Sequence, residues 1–270
     1  MVKRYAVVRW TFFTSVSQKQ AFLCFIIFGV MCVSTSFTTP LNSYIENLIS
    51  LFDGYRISSF NIPEFLRYVV LRLTPIYLIG FLVSSTIDHD SYFRIRLYRC
   101  SEWQKTLEYA TLLMELLFVV LQLIASFSFF LYQSPQGQEL SLYGDNLIVL
   151  LIPLTTILEM YVTILFFFNI YFISRNSVFS FLVVFFLYLL SAIVNIPFYP
   201  FGLSTVWKIR LLTPNLIISF MSAIMVFLLF IFILHLLLKR NVKKFLRGWI
   251  SYAANSCGQY FKEVWEKCYI

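Results

Sequence analysis

Six long apolar stretches dominate this chain, at about 21–38, 65–87, 110–132, 146–173, 178–196 and 216–238. Each is close to the ~20 residues a helix needs to cross a hydrocarbon core of ~30 Å. A soluble core helix would carry a polar face, and these stretches lack one. The whole chain agrees: 60% of it is hydrophobic and 13% charged, against roughly half and a quarter in soluble domains. So little polar surface cannot coat a water-soluble body of 270 residues. The expected fold is an all-α integral membrane domain of six spans covering 1–270, with no separate soluble domain.

Positive charge sets the expected orientation, because cytoplasmic loops of membrane proteins are enriched in Lys and Arg. With the N-terminus inside, the inner segments hold Lys3, Arg4, Arg9, Lys19, Arg94, Arg96, Arg99, Lys105 and Arg175. They also hold Lys239, Arg240, Lys243, Lys244, Arg247, Lys262 and Lys267. The outer loops keep only Arg56, Lys208 and Arg210, with Arg67 and Arg72 in the outer part of the second span. Both termini are thus expected in the cytoplasm of a multi-pass cell-membrane protein. Anionic headgroups beside the inner Lys and Arg account for the net charge of +8, so no nucleic-acid partner is expected.

The segments between spans have character of their own. Residues 1–18 mix bases with Trp10, Phe12 and Phe13 and are expected to form an amphipathic helix in the inner interface. Tyr44, Leu48 and Leu51 fall at helical spacing in the first outer loop, and Gly54 offers a stop. The last outer loop, from Pro197 to Asn215, is aromatic and apolar and is expected to dip back into the bilayer surface. The tail 239–270 is expected to be a cytoplasmic, surface-bound amphipathic helix.

Enzymatic motifs are missing. The chain has no GxxxxGK[ST] phosphate loop, no HExxH and no GxSxG. His89 and His235 have no ligand spacing, and Cys24, Cys32, Cys100, Cys257 and Cys268 include no CxxC pair. No catalytic residue, metal or bound cofactor is therefore expected. Transport, scaffolding or binding fit the chain better than catalysis.

Two features carry the functional expectation. The first is the segment 88–109, DHDSYFRIRLYRCSEWQKTLEY. It is two-faced: Leu97 and Trp103 are suited to burial, while Arg94, Arg96, Arg99, Glu102 and Lys105 are suited to polar contacts. The second is charge within spans, which costs ~2.5–3.5 kcal/mol on insertion scales and so faces protein or water. Glu108, Glu115 and Gln122 recur every seven residues along the third span, and Glu159 lies near the middle of the fourth. Arg72, in the second, is a candidate partner for Glu159. These residues either line a polar path or make static bonds between helices.

An interfacial N-terminal helix, six spans, a helical first outer loop, an aromatic last outer loop and a charged 88–109 segment together resemble a known family. It is the six-helix permease subunits of bacterial type-2 ABC transporters of the exporter class. Arg96, Leu97, Tyr98, Arg99, Ser101, Glu102, Trp103 and Lys105 are similar to the R-Y-[KR]-x-S/R…W…K stretch of bacteriocin and lantibiotic immunity permeases. Leu97 and Cys100 depart from that stretch. The resemblance implies that 88–109 couples to a separate cytoplasmic ATPase, which holds ATP and Mg. It also implies a second permease copy, identical or related, and a hydrophobic or amphipathic cargo such as an antimicrobial peptide or lipid-like molecule. The alternative is an immunity protein that binds a peptide without ATP. A secondary transporter ranks third, because no matching halves with Gly- or Pro-broken helices are evident.

Overall fold

The computed structural model describes residues 26–27, 52, 62–89, 100–133, 146–193, 196 and 198–257. They are all helix and loop, without a strand. In chain order the helices are α1 (Ile62–His89), α2 (Cys100–Gln133), α3 (Asn146–Ser174), α4 (Ser177–Ile193), α5 (Val206–Leu212) and α6 (Leu216–Cys257). Three of them contain stretches long and apolar enough to cross a membrane: Thr111–Ser128, Leu150–Ser174 and Leu216–Phe245. Shorter apolar helical stretches occupy Tyr68–Gly80 and Ser177–Ser191. Of the first expected span, only Ile26 and Ile27 are described, and they are helical. The interfacial helix at 1–18 and most of the first outer loop lie outside the described residues.

Helix α3 is the hub and packs against α1, α2, α4 and α6. Its own composition explains why. It carries apolar or aromatic residues nearly all round, and its polar residues Thr155, Thr156, Glu159, Thr163 and Asn169 are all buried among its neighbours rather than left to lipid. Ile152, Val162, Ile164, Phe167 and Phe168 are essentially inaccessible. Gly80 of α1 permits a close approach to this hub, because a Cβ there would meet the Phe167 ring at 2.8 Å. Helix α6 is the opposite case. Phe220, Ala223, Phe227, Leu234 and Leu238 turn inward at three-, four- and seven-residue spacing, while Met221, Met225, Leu229 and Phe232 stay exposed. That exposed apolar stripe is the surface a lipid-facing helix would present.

The links at the helix ends follow from local chemistry. Arg175 ends α3 in the left-handed region, at φ 57°, and its N–H donates to the Tyr171 carbonyl at 2.7 Å. Asn176 then caps α4 through Oδ1, which accepts from Phe179 N–H at 3.0 Å. Asn215 does the same for α6, accepting from Ile217 N–H at 3.0 Å. These two tight connections keep α3 beside α4 and α5 beside α6.

Several boundaries differ from expectation. The segment 88–109 is not one loop. Helix α1 runs to His89 and α2 begins at Cys100, so Ser101 to Tyr109 are the first turns of a long helix. Nor does the last helix stop near 238. It continues for 42 residues to Cys257: no Gly or Pro interrupts Lys239–Arg247, where the bases are good helix formers, and the helix then passes through Gly248. The tail thus continues the helix of the span as far as Cys257. The fifth expected span falls on α4, described from Ser177 to Ile193.

Candidate functional site

Among the described residues a polar cluster surrounds Glu159, at the end of the bundle where the α4–α5 connection folds in. Residues 200–206 of that connection are buried. The expected dip toward the bilayer is therefore a turn into the helix bundle itself. Phe201 leads it, with its ring 5.3 Å from Phe166, 5.8 Å from Tyr188 and 5.6 Å from Tyr199. An aromatic plug of this kind buries a large area, but it also drags backbone N–H groups away from water. Glu159 supplies their acceptors. Its Oε1 takes a bond from the Tyr188 hydroxyl at 2.7 Å and from Gly202 N–H at 3.0 Å. Its Oε2 accepts from Ser204 N–H at 2.7 Å. The Thr163 hydroxyl, 3.0 Å from the Tyr188 oxygen, extends the network along α3.

Gly202 is required at the turn for two reasons. Its φ of +76° is costly for other residues. The Tyr68 and Ser191 hydroxyls also stand where a Cβ would go. Beyond the turn, Lys208 on α5 points inward. Its ammonium donates to the Ser191 carbonyl at 2.8 Å and to the Ser191 hydroxyl. Lys208 lies outside the membrane-spanning stretches, and burial pulls its ammonium down to about 8, partly opposed by the Glu159 carboxylate.

The expected Arg72–Glu159 ion pair is not formed. No Arg72 nitrogen lies within ion-pair distance of the carboxylate, which is already engaged by Tyr188, Gly202 and Ser204. Arg72 is buried with its guanidinium carbon 5.7 Å from the Phe52 ring centre, and its Nη1 has no hydrogen-bond partner. The Tyr68 and Ser204 hydroxyls are likewise buried without partners.

The stripe on α2 does face inward. Glu108 is partly buried, and Thr111, Glu115, Gln122 and Ser126 are buried. Gln122 has a specific task there. Pro75 inside α1 has no N–H, so the carbonyl four residues before it, on Leu71, loses its helical donor. Gln122 Nε2 donates to that carbonyl at 3.1 Å. Glu115 has no such answer: it is fully buried, and neither carboxylate oxygen has a hydrogen-bond partner.

At the opposite end of the bundle two links tie α6 to its neighbours. Glu108 Oε1 lies 2.9 Å from His235 Nδ1. Asn169 Nδ2 donates to the Leu234 carbonyl at 3.1 Å, and Asn241 Nδ2 donates to Asn169 Oδ1 at 2.9 Å. No sequence spacing pairs His235 with Glu108, or the two asparagines with each other.

Of the proposed coupling residues, Arg94, Arg96, Leu97 and Arg99 lie outside the described residues. Glu102 and Trp103 are helical, with side chains outside the description, as is the side chain of Arg67. Lys105 is exposed on α2. The residues missed from sequence, Tyr68, Tyr188, Gly202, Ser204 and Lys208, share one legible signal. A Lys in the apolar run VWKIRLL, directly after GLST, calls for an acceptor inside the protein. No metal-holding group of His, Cys, Asp or Glu occurs among the described residues. No protein-family model, curated protein or solved structure matches this chain.

Proposed function

We propose that this chain is the permease subunit of an ATP-driven exporter, with six spans and both termini in the cytoplasm. A separate ATPase supplies ATP hydrolysis, and a second permease, identical or related, completes the pathway. The cargo is hydrophobic or amphipathic, an antimicrobial peptide or a lipid-like molecule. The support is the sequence resemblance together with one observation: α2 starts at Cys100, well before its apolar stretch opens at Thr111. Ser101 to Lys105 thus stand on a helical extension continuous with the span that carries Glu115 and Gln122. The Glu108–His235 contact at the base of that extension joins it to α6. A push on the extension is therefore delivered to two long helices at once. Arg94, Arg96, Arg99, Glu102 and Lys105 meet the ATPase, while Leu97 and Trp103 anchor the segment by burial.

In this reading the Glu159 cluster is the closed state of the far end. Opening a path there requires the 200–206 turn to leave, and the Glu159 carboxylate to trade its three donors for others. Arg72, buried with a free Nη1, is the candidate to receive it. The test is copurification from cells that also express candidate ATPases. Replacing Arg96 and Arg99 together with Glu is expected to leave insertion intact and to abolish both ATPase recovery and cargo-stimulated hydrolysis. Normal stimulated hydrolysis in that variant removes the coupling role from this segment. Recovery of the wild-type chain with bound peptide and no ATPase favours a peptide-binding immunity protein instead.

A further inference from the structure

A cavity of about 380 Å³ opens between the end of α3 and the middle of α6, lined by Phe172, Ile173, Arg175, Asn241, Lys244 and Phe245. That is large enough for a small ligand or a headgroup. Its depth is defined by the helices themselves. The apolar stretch of α3 ends at Ser174 and that of α6 at Phe245. The cavity therefore sits where apolar surface gives way to charge on both walls, the level of lipid headgroups for a spanning bundle.

Its chemistry is one-sided. Arg175 and Lys244 are exposed, and none of the described residues lining the cavity is acidic. The Arg175 backbone is fixed by the turn that closes α3. Its guanidinium lies over the Phe245 ring, 5.5 Å from the centroid, and Phe172 packs edge-on against the same ring at 5.3 Å. Stacking engages the face of a guanidinium and leaves its N–H edge available, which is the edge that binds phosphate oxygens. The Asn169–Asn241 bond holds the α6 wall in register with α3. Aromatic and apolar walls beside two cations suit a group that is anionic at one end and apolar at the other.

We propose that this cavity binds the phosphate headgroup of an anionic phospholipid through Arg175 and Lys244. The site depends neither on the transport reading nor on which way the bundle faces. The experiment uses the purified full-length chain in detergent, with short-chain phosphatidylglycerol, phosphatidylcholine and inorganic phosphate as probes. Bound lipid is counted by native mass spectrometry and stabilisation is read by thermal shift. Phosphatidylglycerol is expected to bind saturably and phosphatidylcholine not. Arg175→Gln with Lys244→Gln is expected to weaken phosphatidylglycerol about tenfold, since each base near an anionic surface contributes appreciably. Lys239→Gln with Arg240→Gln, exposed bases on the same helix outside the cavity, removes equal charge and is expected to change little. Lys244→Glu alone, at an exposed position, gives a second reading should the double variant fail to fold. Unchanged phosphatidylglycerol binding in the cavity variants overturns the site. Equal losses in both double variants reduce it to bulk charge, which also overturns it. Protection by inorganic phosphate that depends on the same two residues and is not exceeded by phosphatidylglycerol overturns the lipid assignment.

Discussion

Glu159 and Lys208 share one small volume yet meet different needs. Glu159 accepts from Tyr188, Gly202 and Ser204 and so satisfies a turn that would otherwise carry buried, unpaired N–H groups. Leaving such groups without an acceptor costs ~1–3 kcal/mol each. Lys208 is held through Ser191 rather than by direct contact with the carboxylate, and desolvation dominates its titration. The sign of the pH effect follows. Below about pH 8 the ammonium is protonated in both the folded and the unfolded chain, and its burial is a constant cost. From there to the ordinary lysine value, the unfolded chain binds a proton that the folded chain has released. Linkage then makes stability rise with pH across that window, by on the order of 3 kcal/mol for a shift of this size. Thermal unfolding of the wild type relative to Lys208→Gln, measured from pH 7 to 10.5, is expected to show that rise. A flat difference between the two proteins would mean that Lys208 is solvated.

Between helices, the Pro75–Gln122 arrangement is the most economical link in the bundle. A proline in a span frees a carbonyl, and membrane helices commonly answer it with a side chain from a neighbour. Here the freed carbonyl is on Leu71 and the answer comes from α2. Gln122→Leu is therefore expected to destabilise the wild type by about 1 kcal/mol, within the range of such bonds in bilayers. In a Pro75→Ala background the helix supplies its own N–H to Leu71, and the same substitution is expected to cost much less. Reversible unfolding of the four proteins gives the cycle; equal costs in both backgrounds would show that Gln122 acts elsewhere. This link also marks how far sequence reading reaches. The seven-residue recurrence of Glu108, Glu115 and Gln122 revealed one inward stripe, because helical period alone decides which residues share a face. Which carbonyl Gln122 would meet depends on how α1 stands against α2, and no local pattern encodes that. The same limit explains the Arg72–Glu159 expectation. Both residues face the protein interior, as charged groups within spans do, but the acceptor capacity of Glu159 is used by a turn far along the chain. Helix ends were hardest to read where polar residues could serve either a loop or a helix, as at Ser101–Glu108 and Lys239–Arg247.

For the molecule as a whole, the charge asymmetry and the helix ends can be tested together. Arg210 and Lys243 are exposed at opposite ends of the bundle, one beside the Gly202 turn and the other just before α6 passes Phe245. In a variant lacking the native cysteines, Arg210→Cys is expected to react with an impermeant thiol reagent in intact cells. Lys243→Cys is expected to react only after lysis. The reverse pattern would invert the proposed orientation. The continuous α6 then has a mechanical meaning. At 1.5 Å per residue its 42 residues reach roughly 63 Å, about twice a hydrocarbon core. Roughly 18 Å of that lies beyond Phe245. From Leu216 to Arg247 the helix has neither glycine nor proline, so a few degrees of tilt at the Phe220 end swings Arg247 sideways by a few ångströms, and Gly248 is the joint at which the last turns bend on their own.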